Sequence, residues 1–262
     1  MRLTLDIGNT QIKFGIFDKM NLVYSSYFND SDNIVDEFGE IKKFNPKVGI
    51  ISSVVPPLTL KYKKQIRDFL NIDTFIIDYK NCKMKLDVTV PNTVGIDRIC
   101  NVAAVKNIYP TPTIIVDFGT ATTYDVVNKN GYFIGGAIAP GIKTSAEYLI
   151  SKAALLNDTD LKFPKNIIGK DTKENIQSGI MYGAIDQVEG MIKRINNETK
   201  INNHIILTGG FSKLLSPKLK RTPFSDWIFI ENIALNKKRS TFFELWIEKQ
   251  IAKTYVKINK QY

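Results

Sequence analysis

A strand that ends in Asp-x-Gly occurs twice in this chain, each time followed by a short turn and a second strand. The first copy is Leu5–Thr10, Leu-Asp-Ile-Gly-Asn-Thr, and the second is Val116–Thr123, Val-Asp-Phe-Gly-Thr-Ala-Thr-Thr. Glycine lets the backbone approach a ligand closely, and successive N–H groups in such a turn form a concavity that binds anions. The aspartate cannot bind phosphate directly, but it can hold a magnesium ion or its water. The two copies of the Asp-x-Gly turn therefore predict an ATP-binding clamp in which the turns face each other.

The order of predicted elements also repeats. Hydrophobic periodicity predicts strand–strand–strand–helix–strand–helix–strand in each half, with helical insertions. This repeated order predicts two α/β domains, 1–112 and 113–262. The predicted strands are 2–6, 11–17, 22–28, 48–54, 74–78, 113–117, 122–127, 131–138, 204–208 and 227–231, and the predicted helices lie near 32–43, 58–70, 143–156, 171–196 and 241–254.

Helix starts are predicted from capping residues. Ser31 is placed to cap the first helix, and Asp171 with Glu174 is a capping pair in which the glutamate reaches back to the aspartate N–H. A further helix is expected directly after Gly95-Ile-Asp-Arg98. In that motif, Asp97 either stabilises the helix N-terminus or accepts a proton from a hydroxyl beside a guanidinium that binds an anionic group.

Composition excludes several classes of function. The chain has 262 residues, 44% of them hydrophobic, and no apolar run approaches the roughly 20 residues of a membrane span. The start lacks the long apolar region of a signal peptide, so a cytoplasmic protein is expected. With two isolated cysteines, Cys82 and Cys100, and one histidine, His204, a His/Cys zinc site is excluded.

The formal net charge of +10 has two interpretations. The basic run Lys237-Lys238-Arg239 could contact nucleic acid or an acidic partner. The alternative is a solvated, lysine-rich surface. We favour the surface because no aromatic interleaving and no nucleic-acid motif accompany the charges.

Taken together, the motifs resemble those of the type III pantothenate kinases. The Asp-x-Gly hairpins occur throughout the actin-like ATPase and sugar-kinase superfamily, whereas the Gly-x-Asp-Arg and Gly-Gly-x-Ile-x-Pro-Gly motifs together are specific to this family. The matches follow the family's order, and they are Asp6–Thr10, Gly95–Arg98, Asp117–Thr123, Gly135–Gly141, Gly169–Thr172, Ile176–Gly179 and Leu207–Gly210.

The resemblance implies a fold and an activity. The fold would be two duplicated ribonuclease-H-like domains with mixed sheets and a ligand cleft between them. The activity would be transfer of the ATP γ-phosphoryl group to pantothenate, giving 4'-phosphopantothenate in the first step of coenzyme A biosynthesis. Mg²⁺ would accompany ATP, a monovalent cation (K⁺ or NH₄⁺) would be required, and the protein would be a homodimer without a membrane partner.

Site residues follow from the matched positions. Asp97 would be the catalytic proton acceptor, Asp117 would hold the monovalent cation, and Asp6 would hold Mg²⁺ through water. Val88 stands where the family often has a substrate-contacting tyrosine. The ATP-binding set would be Asp6, Ile7, Gly8, Asn9, Thr10, Gln11, Ile12, Lys13 and Thr120, and the pantothenate-binding set would be Gly95, Ile96, Asp97, Arg98 and Thr172.

Two alternatives remain open at this stage. One is a kinase of the same superfamily that acts on another small hydroxy or carboxylate substrate. The other is a non-catalytic regulatory or accessory relative, which the basic C-terminal segment would suit. The presence of every acidic residue that catalysis requires favours the kinase.

Overall fold

The structure is a computed structural model, and it describes residues 1–18, 21–30, 34–152, 159–220 and 227–229. These residues form two compact units, one of Met1–Tyr109 and one that begins at Pro110. The domain limits 1–112 and 113–262, which were expected from the sequence, remain a prediction. No helix in the described ranges is both long enough and apolar enough to cross a membrane.

The first unit is built on one five-stranded sheet with the strand order β3-β2-β1-β4-β5. Strand β1 lies in the middle, antiparallel to β2 and parallel to β4. The strands are β1 (Arg2–Ile7), β2 (Ile12–Asp18), β3 (Asn21–Phe28), β4 (Val48–Ser53) and β5 (Thr74–Ile76), and the helices are α1 (Ile34–Lys43), α2 (Pro56–Leu70) and α3 (Ile96–Ile108).

Apolar side chains of the sheet and of α1 and α2 form the core of this unit. Leu3, Leu5 and Ile7 of β1 are buried there, as expected for a central strand with helices on the faces of its sheet. Helix α2 opens with Pro56-Pro57 and ends at Leu70. Its C-cap Asn71 has the left-handed conformation, with a φ of 53°.

The second unit contains a sheet of the same design, with the strand order β10-β9-β6-β7-β8. Its central strand β6 is antiparallel to β7 and parallel to β9. The strands are β6 (Thr113–Phe118), β7 (Ala121–Val127), β8 (Phe133–Pro140), β9 (His204–Gly209) and β10 (Trp227–Phe229), and the helices are α4 (Ile142–Lys152), α5 (Thr172–Thr199) and α6 (Ser212–Leu215).

Each strand of the first sheet has a counterpart at the same place in the second. Strands β1 to β5 correspond to β6 to β10 in order, and each pairing has the same direction in both sheets. The predicted duplication of an α/β unit with a mixed sheet is therefore confirmed.

The long helix α5 begins as predicted, with one difference. Asp171 accepts a hydrogen bond from the Glu174 N–H at 2.8 Å, which is the expected cap. Glu174 accepts from the Lys170 N–H, also at 2.8 Å, and not from the Asp171 N–H, so its partner lies one residue earlier than predicted. The helix ends at Thr199 and is followed by its C-cap Lys200, with a φ of 57°.

Several predictions fall on other parts of the chain. The predicted cap Ser31 and the predicted helix at 241–254 lie outside the described residues, as does the basic run at 237–239. The strand predicted at 227–231 is present over Trp227–Phe229.

Candidate active site

The first Asp-x-Gly turn joins β1 to β2 in the first unit. Within the turn, the Gly8 N–H donates a hydrogen bond to the Gln11 carbonyl oxygen at 3.1 Å. A Cβ at position 8 would lie 3.2 Å from the same oxygen, closer than most real contacts. Asn9 and Thr10 are exposed at the tip. The turn therefore presents backbone and polar side chains to solvent, as a phosphate loop requires.

The other predicted ATP-binding residues are the strand residues that flank this turn. Ile7 and Ile12 are buried in the core of the first unit, so they can contribute to a nucleotide site only through their backbone. Asp6 and Lys13 are half-buried, and they are direct cross-strand partners. Their side chains therefore share one face of the sheet.

Asp6 has an unusual electrostatic environment. Burial raises the pKa of its carboxyl group above the ordinary value, and the neighbouring Asp97 carboxylate raises it further. Lys13 and a hydrogen bond from the Ser52 hydroxyl act in the opposite direction. A cation beside Asp6 would relieve both the burial cost and the repulsion from Asp97.

Asp97 lies in the first turn of α3, whose N-cap is Gly95. Its Oδ1 accepts a hydrogen bond from the Arg98 N–H at 2.8 Å, and the residue is exposed. Asp97 thus stabilises the helix N-terminus, which is one of the two roles that the sequence predicts for it. It also lies within electrostatic range of Asp6, since the Asp97 carboxylate raises the pKa of that group.

The remaining first-unit residues of the pantothenate set surround Asp97. Gly95 precedes the helix, and a Cβ there would lie 2.5 Å from the Asp97 Oδ1. Ile96 and Arg98 are half-buried on either side of Asp97, and Val88 is half-buried in the preceding segment.

The second Asp-x-Gly turn joins β6 to β7 in the second unit. The Gly119 N–H donates to the Ala121 carbonyl oxygen at 3.0 Å. The Thr120 carbonyl oxygen accepts from the Gly141 N–H at 3.0 Å and from the Thr144 hydroxyl at 2.7 Å. The start of α4 therefore holds this turn in place.

Gly141 is the residue that permits this close approach. A Cβ there would lie 2.4 Å from the carbonyl oxygens of both Gly119 and Thr120. The Gly-Gly-x-Ile-x-Pro-Gly motif thus has a structural reason at its last glycine.

Asp117 stands near the end of β6, half-buried, beside the Gly-Gly pair that ends β9. Gly209 has a φ of +87°, and a Cβ there would lie 2.5 Å from the Asp117 Oδ1. The Gly210 N–H donates to the Phe118 carbonyl oxygen at 3.0 Å. The backbone of Gly209 therefore packs directly against the Asp117 carboxylate.

Thr172, the last residue of the predicted pantothenate set, is the first residue of α5 in the second unit and is exposed. The preceding loop is tightly packed on this helix start. A Cβ at Gly169 would lie 2.6 Å from the Asn175 backbone nitrogen.

The structure adds two residues to the site that the sequence motifs did not indicate, Ser52 and Cys100. The Cys100 thiol lies 3.8 Å from the Ser52 hydroxyl oxygen. Burial and the nearby Asp6 raise the pKa of this thiol to about 12, so it remains protonated at neutral pH and can donate. Only the parallel register of β1 and β4 places Ser52 beside Asp6.

The donor set fits Mg²⁺ bound together with a nucleotide. Within the described residues, no three His, Cys, Asp or Glu side chains form a cluster that could hold a metal ion. Mg²⁺ typically uses one or two carboxylates, with substrate phosphates and water as its other ligands. Asp6 meets that requirement, and the carboxylate of Asp117 is an oxygen ligand of the kind that hard monovalent cations prefer.

Three solved structures share the fold of this chain. A Baf family transcriptional activator from Campylobacter jejuni matches with a TM-score of 0.56 at 20% identity, over 99% of this chain and 100% of that one. Component A of (R)-2-hydroxyglutaryl-CoA dehydratase from Acidaminococcus fermentans matches at 0.52 and 11% identity, over 94% and 98%. An archaeal actin homologue matches at 0.51 and 10% identity, over 95% and 99%. At these identities the likeness shows the fold alone, which is the actin-like ATPase fold.

Sequence relatives narrow this class to one family. The family model described as type III pantothenate kinase matches residues 2–194. Type III pantothenate kinases from Citrifermentans bemidjiense and from Geobacter sp. strain M21 are each 39% identical over 230 residues, which cover 83% of this chain and 91% of the relative. The chain belongs to the type III pantothenate kinase family.

Proposed function

We propose that this protein transfers the γ-phosphoryl group of ATP to the primary hydroxyl of pantothenate, with Asp97 as the proton acceptor. The observation that carries the assignment of Asp97 is its position beside Asp6, at the start of α3, with its Oδ1 hydrogen-bonded to the Arg98 N–H. A carboxylate held in this way has one defined orientation, which a proton acceptor in phosphoryl transfer needs.

The two Asp-x-Gly turns are the proposed phosphate loops. The first would contribute Asp6 through Lys13, and the second would contribute Thr120. Lys13 is a direct neighbour of Asp6 across the hairpin, so a cationic group lies beside the acidic one. In phosphoryl transfer, fixed positive charge and N–H donors stabilise the charge that develops on the moving group.

Metal ions are proposed at two carboxylates. Mg²⁺ bound with ATP would neutralise phosphate charge, and Asp6 would hold it through water. A monovalent cation, K⁺ or NH₄⁺, would be held by Asp117. Both carboxylates are half-buried. At Asp6, burial raises the pKa, so a counter-ion there would offset the cost of the ionised form.

The pantothenate site is proposed around α3. Gly95, Ile96 and Arg98 would contact the substrate next to Asp97, and Thr172 would contribute from the start of α5. The guanidinium of Arg98 is suited to the pantothenate carboxylate because Arg binds carboxylates through two parallel hydrogen bonds.

A homodimer that acts in the cytoplasm is the proposed state of the protein. Several large apolar side chains of the second unit are exposed, and such side chains mark contacts between chains where they form one patch. They are Ile138, Tyr148, Leu149, Ile167 and Ile168, with exposed fractions between 43% and 72%. Light scattering on wild type and on Tyr148→Glu would test this state, and a monomeric wild type would contradict it.

The substrate is tested by ADP release in a coupled assay that contains Mg²⁺ and K⁺. Release is expected with pantothenate and not with acetate or hexoses, and replacement of K⁺ by Na⁺ is expected to lower the rate. Equal release with and without pantothenate would contradict the proposed substrate.

A further inference from the structure

Ser52 occupies a central place between the two strands and the helix that carry the proposed catalytic groups. It is the direct partner of Asp6 in the parallel pair of β1 and β4. Lys13 is the partner of Asp6 on the other side, in the antiparallel pair of β1 and β2. The three side chains therefore project from one face of the sheet, with Asp6 between a hydroxyl and an ammonium group.

The hydroxyl of Ser52 has a defined hydrogen-bond direction. A serine hydroxyl has one hydrogen to donate and two lone pairs that accept. The Cys100 thiol lies at 3.8 Å and donates to the oxygen, so the single hydroxyl hydrogen is left for the Asp6 carboxylate, which is the cross-strand neighbour of Ser52. Ser52 is only 7% exposed, so water competes little for either bond.

This arrangement links two elements of the site. Cys100 lies one helical turn after Asp97 on α3, and α3 packs against β4. The chain of contacts from Cys100 to Ser52 to Asp6 thus joins the helix that carries Asp97 to the strand that carries Asp6. Neither Ser52 nor Cys100 belongs to the motifs that define the phosphate loops.

The neighbouring Ser53 shows that a serine in this strand need not serve the site. Its hydroxyl accepts from the Val55 N–H at 3.1 Å and from the Thr59 hydroxyl at 2.7 Å, and so it stabilises the start of α2. Successive residues of a strand point to opposite faces. The two adjacent serines therefore have separate roles.

We propose that Ser52 is a positioning residue, whose buried hydroxyl fixes the orientation of the Asp6 carboxylate relative to the helix that carries Asp97. This inference rests on the proposed role of Asp6 at the Mg²⁺–nucleotide site. Partners that hydrogen-bond a metal-binding carboxylate keep it in the orientation that the metal needs, and their loss typically costs roughly 10- to 100-fold in affinity or activity.

The experiment compares Ser52→Ala, Ser52→Thr and Ser53→Ala with wild type in two measurements. The first is calorimetric titration with a non-hydrolysable ATP analogue, once with Mg²⁺ and once with EDTA. The second is the steady-state kinetics of pantothenate-dependent ADP release. Ser53→Ala is the matched control because it removes a hydroxyl from the next residue, and its expected effect is on stability alone.

The expected result is specific to the metal-dependent step. Ser52→Ala should weaken binding of the analogue roughly 10- to 100-fold in Mg²⁺, leave binding in EDTA unchanged, and lower kcat without changing KM for pantothenate. Ser52→Thr retains the hydroxyl and should restore both. Should Ser52→Ala fail to fold, Cys100→Ala carries the test, with a smaller loss in the same direction.

Two results would overturn the inference. One is Mg²⁺-dependent binding in Ser52→Ala equal to that in Ser53→Ala. The other is a loss in Ser52→Thr as large as in Ser52→Ala, because packing and not the hydroxyl would then be responsible. Failure of the proposed function is a separate result, since it would be seen in wild type as ADP release that does not depend on pantothenate.

Discussion

The carboxylate of Asp97 lies directly over the backbone of Gly95. A Cβ at position 95 would be 2.5 Å from the Asp97 Oδ1, which is closer than real Cβ contacts come. The position of the Asp97 carboxylate therefore requires a glycine at position 95 of the Gly-x-Asp-Arg motif, because any larger residue there forces the carboxylate to move. The atom in conflict is the end of a side chain, so the side chain will yield before the backbone does.

Gly95→Ala should accordingly misplace the Asp97 carboxylate in a folded protein. A misplacement of about 1 Å can cost roughly 10²-fold in rate, so we expect a loss of that order in kcat, with KM for ATP nearly unchanged. Steady-state kinetics with pantothenate measure it. The control is Gly39→Ala on α1, where a Cβ meets nothing within 4 Å. Turnover of Gly95→Ala equal to that of the control would contradict this account of the motif.

Gly141→Ala tests the anchoring of the second turn. The new Cβ would lie 2.4 Å from two backbone carbonyl oxygens, and backbone atoms in a hairpin have little freedom to move. We expect a stability loss of about 1–3 kcal/mol, typical of overpacking, together with a higher KM for ATP because the Thr120 turn shifts.

Thermal unfolding and ATP titration of Gly141→Ala provide these measurements. Gly190→Ala on α5 is the control, because its Cβ also meets nothing within 4 Å, and it should be unchanged or stabilised by about 0.5–1 kcal/mol. Native stability and native KM in Gly141→Ala would show that the start of α4 does not hold the turn.

The raised pKa of Asp6 predicts a pH-dependent effect on stability. Burial and then Asp97 raise this pKa above 3.8 in the folded state, against the opposing effects of Lys13 and Ser52. The protonated form is thus favoured by folding. Its contribution to stability is complete below pH 3.8 and is lost as the pH rises through the folded-state pKa.

Asp6→Asn cannot ionise, and so it should be more stable than wild type at neutral pH. The difference should shrink towards zero as the pH falls below 3.8. Unfolding midpoints measured from pH 3 to pH 8, without nucleotide or Mg²⁺, provide the comparison. Asp18→Asn at the exposed end of β2 controls for the loss of one charge. A stability difference between Asp6→Asn and wild type that grows towards low pH would contradict a raised pKa of Asp6.

The fold was predictable from the sequence because its signals are local. Each half repeats a strand–turn–strand motif, and the periodicity of the following segments gave the same element order twice. The position of Asp97 at a helix start also followed from local sequence. Helix ends were less well defined, since the last turn of α5 depends on the left-handed Lys200 and not on a glycine.

The supporting residues of the site could not be predicted in the same way. Ser52 reaches Asp6 only through the register of a parallel strand pair, and Cys100 reaches Ser52 only through the packing of α3 on β4. Gly141 was visible in a motif, but its contact with the Thr120 turn depends on how α4 leaves the sheet. Such contacts join distant parts of the chain, and periodicity carries no information on them.

Asp97→Asn tests the central claim most directly, measured as kcat for pantothenate-dependent ADP release and as ATP affinity by titration. Loss of a proton acceptor typically costs roughly 10²- to 10⁴-fold, so we expect kcat to fall by that much while ATP affinity stays near the wild-type value. Asp68→Asn, at an exposed position of α2, should behave as wild type. Near-native turnover in Asp97→Asn would contradict the assignment of Asp97 as the proton acceptor.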